Sequence, residues 1–457
     1  MNKNIVIIGA GITGLATAHW LKKDGYNINI LEANSVVGGS MITEKENGYL
    51  IDFGPNSGLE TSPLIKTLVD DLGIKDEFIY ANKAGNKRYI LRDNILHVLP
   101  MGLKDFIKTK LFSTKAKLRL ALEPFIGKSK EGYYQSISDF VTRRLGREFL
   151  DYAINPFVAG VFAGDPDKLS VKSAFPKLYR LEELYGGLIK GTIKGARERK
   201  KSGEKSKQNA AMFSFKDGML ALPNALYSEL QNDIILNAAV TSVIKDENIY
   251  KITFNNNGVE TTLNADLVIS TVPSYVASNI FGKMDSELSN HLNNIYYPPV
   301  LVLYLGYDKK VIGHPLDGFG FLIPSKEKKK FLGALWSSVI FDDRAPDGKA
   351  SFTLFVGGAR SPELFSDDNK KLIDEVVQEF ESLMRISGKH EFMKSKFWNN
   401  AIPQYNIGYI EHANYFAKFE ESNKGILLGG NYTGGISVGD CIKSSEVLFN
   451  KAKERLL

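Results

Sequence analysis

The chain has 457 residues, of which 43% are hydrophobic and 24% charged; this is enough for two or three domains around a large core and excludes a disordered or fibrous protein. A single cysteine, Cys441, excludes intrachain disulfides and any cysteine-built zinc or iron–sulfur centre, and the six histidines show no HxxxH or HxxE spacing, so no metal is expected. The formal charge of +6 is mild for this length.

No signal peptide precedes the first predicted strand, and no apolar run reaches the ~18 residues needed to span a bilayer, so a cytoplasmic protein is expected. Asn4 to Ile8 is a continuous apolar run that ends at Gly9-Ala10-Gly11-Ile12-Thr13-Gly14. Leu15, Ala18, Trp20 and Leu21 then recur at helical spacing up to Lys23, Gly25 stops the helix, and a second strand, Asn27 to Leu31, ends in Glu32. This is a βαβ unit. Gly9 permits the tight turn, Gly11 lets backbone approach a pyrophosphate, Gly14 lets helix and strand pack closely, and the helix N-terminus faces the phosphates. Glu32, 18 positions after Gly14, suits the hydroxyls of an adenosine ribose. A bound dinucleotide is expected.

Val36-Val37-Gly38-Gly39 and the stretch Gly48 to Ser57 follow at once, an extension that an NAD domain does not need. Lys104 to Lys130 interleaves Lys104, Lys108, Lys110, Lys115, Lys117, Arg119, Lys128 and Lys130 with apolar residues; two readings stand, an anionic membrane contact and a solvated helix face. Lys190 to Lys207 is also basic and reads as a solvated helix end. No aromatic platform or nucleic-acid motif accompanies either, so no nucleic acid is expected. Asp233 to Asn237, Val240 to Lys245, Ile249 to Phe254 and Leu267 to Val272 read as short strands of a meander. Near the end, Gly425 to Asn431 is a buried-strand pattern, and Tyr432 to Gly439 opens a C-terminal helix whose turn can place amides on a flavin. Gly435-Ile-Ser437-Val-Gly439 matches the nucleophile elbow of acyl hydrolases, but the last histidine, His412, precedes Ser437, so that order of catalytic residues is missing.

Asn155 to Pro166, Lys168-Leu-Ser, Tyr179 to Gly187, Gly318 to Ser325, Leu332 to Ser338, Phe341 to Pro346, Phe355-Val-Gly-Gly358 and Gly430 to Gly439 together resemble the oxygen-dependent porphyrinogen oxidases of haem synthesis. This branch of the flavin amine oxidase superfamily comprises protoporphyrinogen oxidases and the coproporphyrinogen-oxidising enzymes of some bacteria. The resemblance spans nearly the whole chain and implies a fold of α/β and α+β character, with a discontinuous Rossmann-like FAD-binding domain, a mixed-sheet substrate domain and a helical lobe. The expected boundaries are 1–80, 210–285 and 395–457 for the FAD domain, 81–100 and 286–394 for the substrate domain, and 101–209 for a lobe that contacts membrane in many members.

By the same resemblance, FAD contacts are expected from Gly9, Ala10, Gly11, Ile12, Thr13, Gly14, Glu32, Ala33, Ser40, Gly54, Pro55, Asn56, Ser57, Val240, Asn431, Ile436, Ser437 and Val438. Trp398 is counted with them, and with Tyr405 it can supply part of the paired aromatic frame that an amine oxidase places around its flavin, which keeps that rival open. Ser40 stands where the family often carries a bulkier or basic residue. Arg88 matches the arginine for the substrate carboxylate, Leu322, Leu335 and Phe355 the apolar walls, and Gly160 a backbone position facing the macrocycle.

The implied reaction removes six electrons and six hydrogens from a porphyrinogen by three two-electron steps and releases hydrogen peroxide from O2. The flavin carries that chemistry, so no catalytic side chain is expected. Apolar walls and an arginine suffice to hold a macrocycle and its propionates. One assigned cation suits protoporphyrinogen IX; the alternative substrate is coproporphyrinogen III, and the rival functions are a flavin amine oxidase, a carotenoid desaturase and a non-catalytic carrier. The expected partners are porphyrinogen, O2, the inner face of the cell membrane and a second copy of the chain in a homodimer.

Overall fold

The computed structural model describes residues 3–202, 210–247, 249–366 and 368–456. The strand Asn4–Ile8 lies in the middle of a five-stranded sheet, parallel to Asn27–Leu31 on one side and to Leu267–Ser270 on the other. Ile234–Ile235 and Ile426–Leu428 complete it as parallel outer strands. Both faces are covered, which is why these strands read as unbroken apolar runs. The helices Ile12–Lys23 and Val438–Leu456 share one face and one core, with the Trp20 indole N–H donating to Ser445 Oγ at 3.1 Å. On the other face lies an antiparallel sheet of Ala238–Asp246, Ile249–Asn256 and Val259–Ala265.

The expected meander differs in three places, the first being that Leu267–Ser270, expected as its last strand, lies in the parallel sheet instead. Of the run 233–237 only Ile234–Ile235 pairs, and it joins the parallel sheet. Val259–Ala265 is an added strand that the reading passed over, because its side chains are mostly polar or exposed and it has only one full neighbour.

A second sheet has seven strands in the order Phe392–Trp398, Val300–Asp308, Lys349–Gly357, Phe331–Leu335, Gly318–Leu322, Lys87–Arg92 and Ile95–Val98. All neighbours are antiparallel except Gly318–Leu322 with Lys87–Arg92. Alternation divides its side chains. Leu301, Leu303, Leu305, Phe352, Leu354 and Val356 pack against Leu372, Val376, Phe380 and Met384 of the helix Lys370–Met384, whereas Val300, Val302 and Tyr304 face the opposite way, towards Ala159 and Ala163.

The segment from Leu103 onward is chiefly helical. Its centre is Arg144, fully buried between Glu123 and Glu182, with Nη1 3.0 Å from Glu123 Oε1. Glu123 also accepts the backbone amides of Leu188 and Ile189 at the start of the helix Leu188–Ser202. Losing one partner would strand a buried charge, so this node ties four segments of the lobe together. The helices Leu103–Lys108 and Thr114–Ala121 turn Leu103, Ile107 and Leu118 outward at 75%, 64% and 66% exposure. Of the second basic stretch, residues 203–207 lie outside the described residues.

Candidate functional site

The carboxyl end of the Asn4–Ile8 strand leads into the glycine turn. Gly9, with φ +99°, donates its amide to Leu31 O at 2.8 Å. A Cβ on Gly14 would stand 2.0 Å from Gly9 O, so that helix and turn meet only through glycine. A Cβ on Gly11 would meet nothing within 4 Å. The first position is packing and the second faces open space, a cradle in which a diphosphate can reach the helix N-terminus. Glu32 is buried, and its carboxylate accepts the Ala10 amide at 2.8 Å and the Asn34 amide and side chain at 2.9 and 2.7 Å. Those donors fix the carboxylate beside the turn and leave acceptor capacity for a ribose hydroxyl. Val240 packs near Leu31 and Ala238 in the same cluster, while Ala33 is exposed.

The extension after Glu32 returns to this crevice. Gly38 bridges Gly11 and donates its amide to Ala10 O at 2.9 Å. Ser40 and Gly54 are in backbone contact, since a Cβ on Gly54 would fall 1.8 Å from Ser40 O. Asn56 Nδ2 donates to Asp52 O at 3.2 Å, and the Trp398 indole donates to Phe53 O at 3.1 Å, which holds Trp398 beside Gly54. At the other end of the chain, the Tyr405 phenol donates to Asn431 O at 2.5 Å and accepts the Gly435 amide at 3.0 Å. Tyr405 is therefore the brace of the C-terminal turn rather than a free aromatic wall. The hydroxyl of Ser437 accepts the Asp440 amide at 3.1 Å and bonds its carboxylate at 2.7 Å; it caps the Val438–Leu456 helix and is no nucleophile. Two helix N-termini thus open on the carboxyl edge of one parallel sheet, where the two sides of the strand order diverge. These residues fit a flavin dinucleotide.

The second sheet supplies an apolar wall. Its register aligns Arg88, Gly320, Leu335 and Thr353 in one row and Ile90, Leu322, Gly333 and Phe355 in the next. Partners in register, and residues two apart, share a face, so Arg88, Leu322, Leu335 and Phe355 stand on one side of the sheet. The helix Asn155–Phe162 closes over that side: a Cβ on Gly160 would meet Leu322 Cδ2 at 2.5 Å. Arg88 is exposed, its guanidinium 5.3 Å from the centre of the Phe319 ring, and it forms no ion pair among the described residues.

Two buried charged residues here were not singled out in the sequence. Asp52 accepts the Thr43 hydroxyl at 2.6 Å and the Met219 amide at 3.0 Å, and burial pushes its carboxyl above the usual range. Arg344 donates to Lys216 O, Ser214 Oγ and Phe215 O at 3.2, 3.1 and 2.8 Å, and burial lowers its pKa. With Asn56, Ser57, Leu335 and Thr353 they line a small cavity of about 20 Å³. Asp52 lies in the 48–57 extension and Arg344 in the 341–346 motif, but neither motif reveals that the chain folds the two together.

Residues 12–446 match the profile of the flavin-containing amine oxidoreductases. Protoporphyrinogen oxidase 2, chloroplastic/mitochondrial, of Arabidopsis thaliana is 35% identical, with 97% of this chain and 92% of the relative covered. Coproporphyrinogen III oxidase of Bacillus subtilis (strain 168) is 28% identical, with 98% of each covered. A crystal structure from Exiguobacterium sp. 255-15 has the same fold, with a TM-score of 0.82 at 21% identity over 99% of both chains.

Proposed function

The chain belongs to the flavin-containing amine oxidoreductase family, and from that premise we propose that it oxidises a porphyrinogen to the porphyrin. The observation that carries this reading is the apolar wall of Leu322, Leu335 and Phe355, with the unpaired Arg88 on the same face of the sheet. The proposed cofactor is FAD, held without a covalent bond in the crevice of Gly9, Ala10, Gly11, Ile12, Thr13, Gly14, Glu32, Ser40, Gly54, Pro55, Asn56, Ser57, Trp398, Asn431, Ile436, Ser437 and Val438. Cys441, the single cysteine, is buried with its thiol pushed up to about 11, which opposes thiolate attack on a flavin.

Bound flavin supplies hydride acceptance and delivery of electrons to O2, three times for each macrocycle. The protein's share is orientation. The wall excludes water from an apolar ring, Gly160 lets its helix close directly on Leu322 without displacing that side chain, and Arg88 offers a bidentate donor to a propionate. An amine oxidase reading is weaker, because the Tyr405 phenol is committed to Asn431 and Gly435.

Protoporphyrinogen IX is the first substrate proposed, and coproporphyrinogen III the second, since relatives of both activities align over nearly the full chain. The test compares kcat/KM for the two porphyrinogens and for an amine on wild type and Arg88→Ala. Arg88→Ala should cost roughly 1.5–3 kcal/mol of porphyrinogen recognition with flavin content unchanged. Turnover of amine in place of either porphyrinogen would overturn the reading. We further propose the three-part division given above, a homodimer, and peripheral attachment through the exposed apolar face at Leu103, Ile107 and Leu118; among the described residues no helix is long and apolar enough to cross a membrane.

A further inference from the structure

A second arginine stands at the far end of the apolar wall. Arg360 follows the Lys349–Gly357 strand that carries Phe355. Its Nη1 donates to Asn155 Oδ1 at 2.7 Å and its Nη2 to Ile323 O at 3.2 Å. Asn155 begins the helix that bears Gly160, and Ile323 adjoins Leu322. Both acceptors are neutral. Among the described residues Arg360 has no ion pair; the carboxylate that acts on it, Asp165, does so from a distance. Burial lowers its pKa to about 10, so it remains a cation at neutral pH with two of its five N–H donors accounted for. Arg360 is part-exposed and its remaining N–H groups are not sealed off, so they stay open to an anion.

Arg88 is in register with Gly320, and Ile323 comes three residues later, just past the end of the Gly318–Leu322 strand. At the usual strand rise the two arginines serve positions about 10 Å apart along the wall, with Leu322 between them. We infer that Arg360 is a second carboxylate-recognising cation of this site, placed for a macrocycle that carries carboxylates on opposite edges. Protoporphyrinogen IX has its two propionates on neighbouring rings, along one edge, where Arg88 alone suffices. Coproporphyrinogen III bears two more propionates on the opposite edge, which Arg360 is placed to meet. The inference rests on the porphyrinogen reading of the site.

The test measures binding by fluorescence titration of three oxidised probes: coproporphyrin III, protoporphyrin IX and the uncharged tetramethyl ester of coproporphyrin III. The holoenzyme is compared with Arg360→Gln, which can still donate to one neighbour without charge, and Arg360→Lys, which keeps the charge; thermal melts accompany each. Arg360→Gln should weaken coproporphyrin III about tenfold and the other two probes less than about twofold, while Arg360→Lys retains most of the affinity for coproporphyrin III. Equal weakening of all three probes, or none, overturns the inference and leaves Arg360 a structural tie. If wild type binds no probe, the porphyrinogen reading itself fails, an outcome distinct from the loss of Arg360's role. Should Arg360→Gln melt early, the Arg360→Lys titration decides alone: retained preference for coproporphyrin III over its ester supports the charge, and its loss overturns it.

Discussion

Gly160 approaches Leu322 so closely that a Cβ on the glycine would stand 2.5 Å from Leu322 Cδ2. The contact joins the Asn155–Phe162 helix to the face of the sheet that bears Arg88 and Phe355. Gly160→Ala should push Leu322 into the space left for the macrocycle and lower porphyrinogen kcat/KM by roughly 5–30-fold, about 1–2 kcal/mol. Flavin content should not change. Shortening the leucine in Gly160→Ala/Leu322→Ala should restore part of the loss, and a double variant no better than the sum of the singles would show that the contact is not the cause.

Gly11 and Gly14 separate cofactor binding from folding. Gly11 has an extended backbone, with φ −74°, and open space beyond its α-carbon, so Gly11→Val should leave the melting temperature of the flavin-free protein unchanged and remove flavin from the purified protein. Gly14→Ala would drive a methyl group into Gly9 O and should destabilise the fold by about 1–3 kcal/mol or more. Flavin absorbance at full occupancy in Gly11→Val would count against the crevice.

The proposed membrane attachment has a defined face. Met101, Leu103, Ile107, Leu118, Leu122 and Phe125 are 55–83% exposed, and each Leu or Phe submerged in lipid contributes about 1.5–3 kcal/mol. Lys108, Lys110 and Lys115 are exposed beside them, whereas Lys117 is spent on the carbonyls of Ile107 and Thr109 at 2.8 and 2.7 Å. Flotation on anionic vesicles should weaken with salt, with Leu103→Ser/Phe125→Ser and with Lys108→Glu/Lys110→Glu/Lys115→Glu. Flotation unchanged in both variants would move the anchor elsewhere.

Acid should loosen a histidine pair. His291 and His412 face each other through Nδ1 atoms 2.9 Å apart, and His291 stacks on Tyr415, whose hydroxyl bonds Asp285. Burial first, and His291 second, hold His412 below its usual pKa, against a weaker upward pull from Glu411; Glu287 is also near Tyr415. A pKa lower in the folded state than in the unfolded one means that the unfolded chain takes up the proton first as pH falls. Stability is therefore intact above about pH 6.5 and declines below it, by roughly 1 kcal/mol for one hydrogen bond. His412→Asn should flatten the dependence of melting temperature on pH between about 7.5 and 5.5, and a slope equal to that of wild type would exclude the pair as its source.

The glycine turn, its helix and Glu32 are legible in the sequence because a βαβ unit is local: the strand ends at Ile8, the turn occupies six residues, and the acid ends the next strand. The same holds for the C-terminal turn, where Ser437 caps its own helix three residues ahead. Family motifs added Arg88, Leu322, Leu335 and Phe355 as separate points along the chain. That these four share one face is a matter of register between strands whose separation in sequence no local pattern encodes. Burial raises the pKa of Asp52 against the lowering pull of its hydrogen bonds from Thr43 and Met219, the latter 167 residues away, and the neutral partner of Arg360 is Asn155, 205 residues away. Local sequence sets backbone turns and caps, since these are decided by neighbours within a few bonds. Burial, and with it the energy of every charge in the site, is decided only when distant segments close around it.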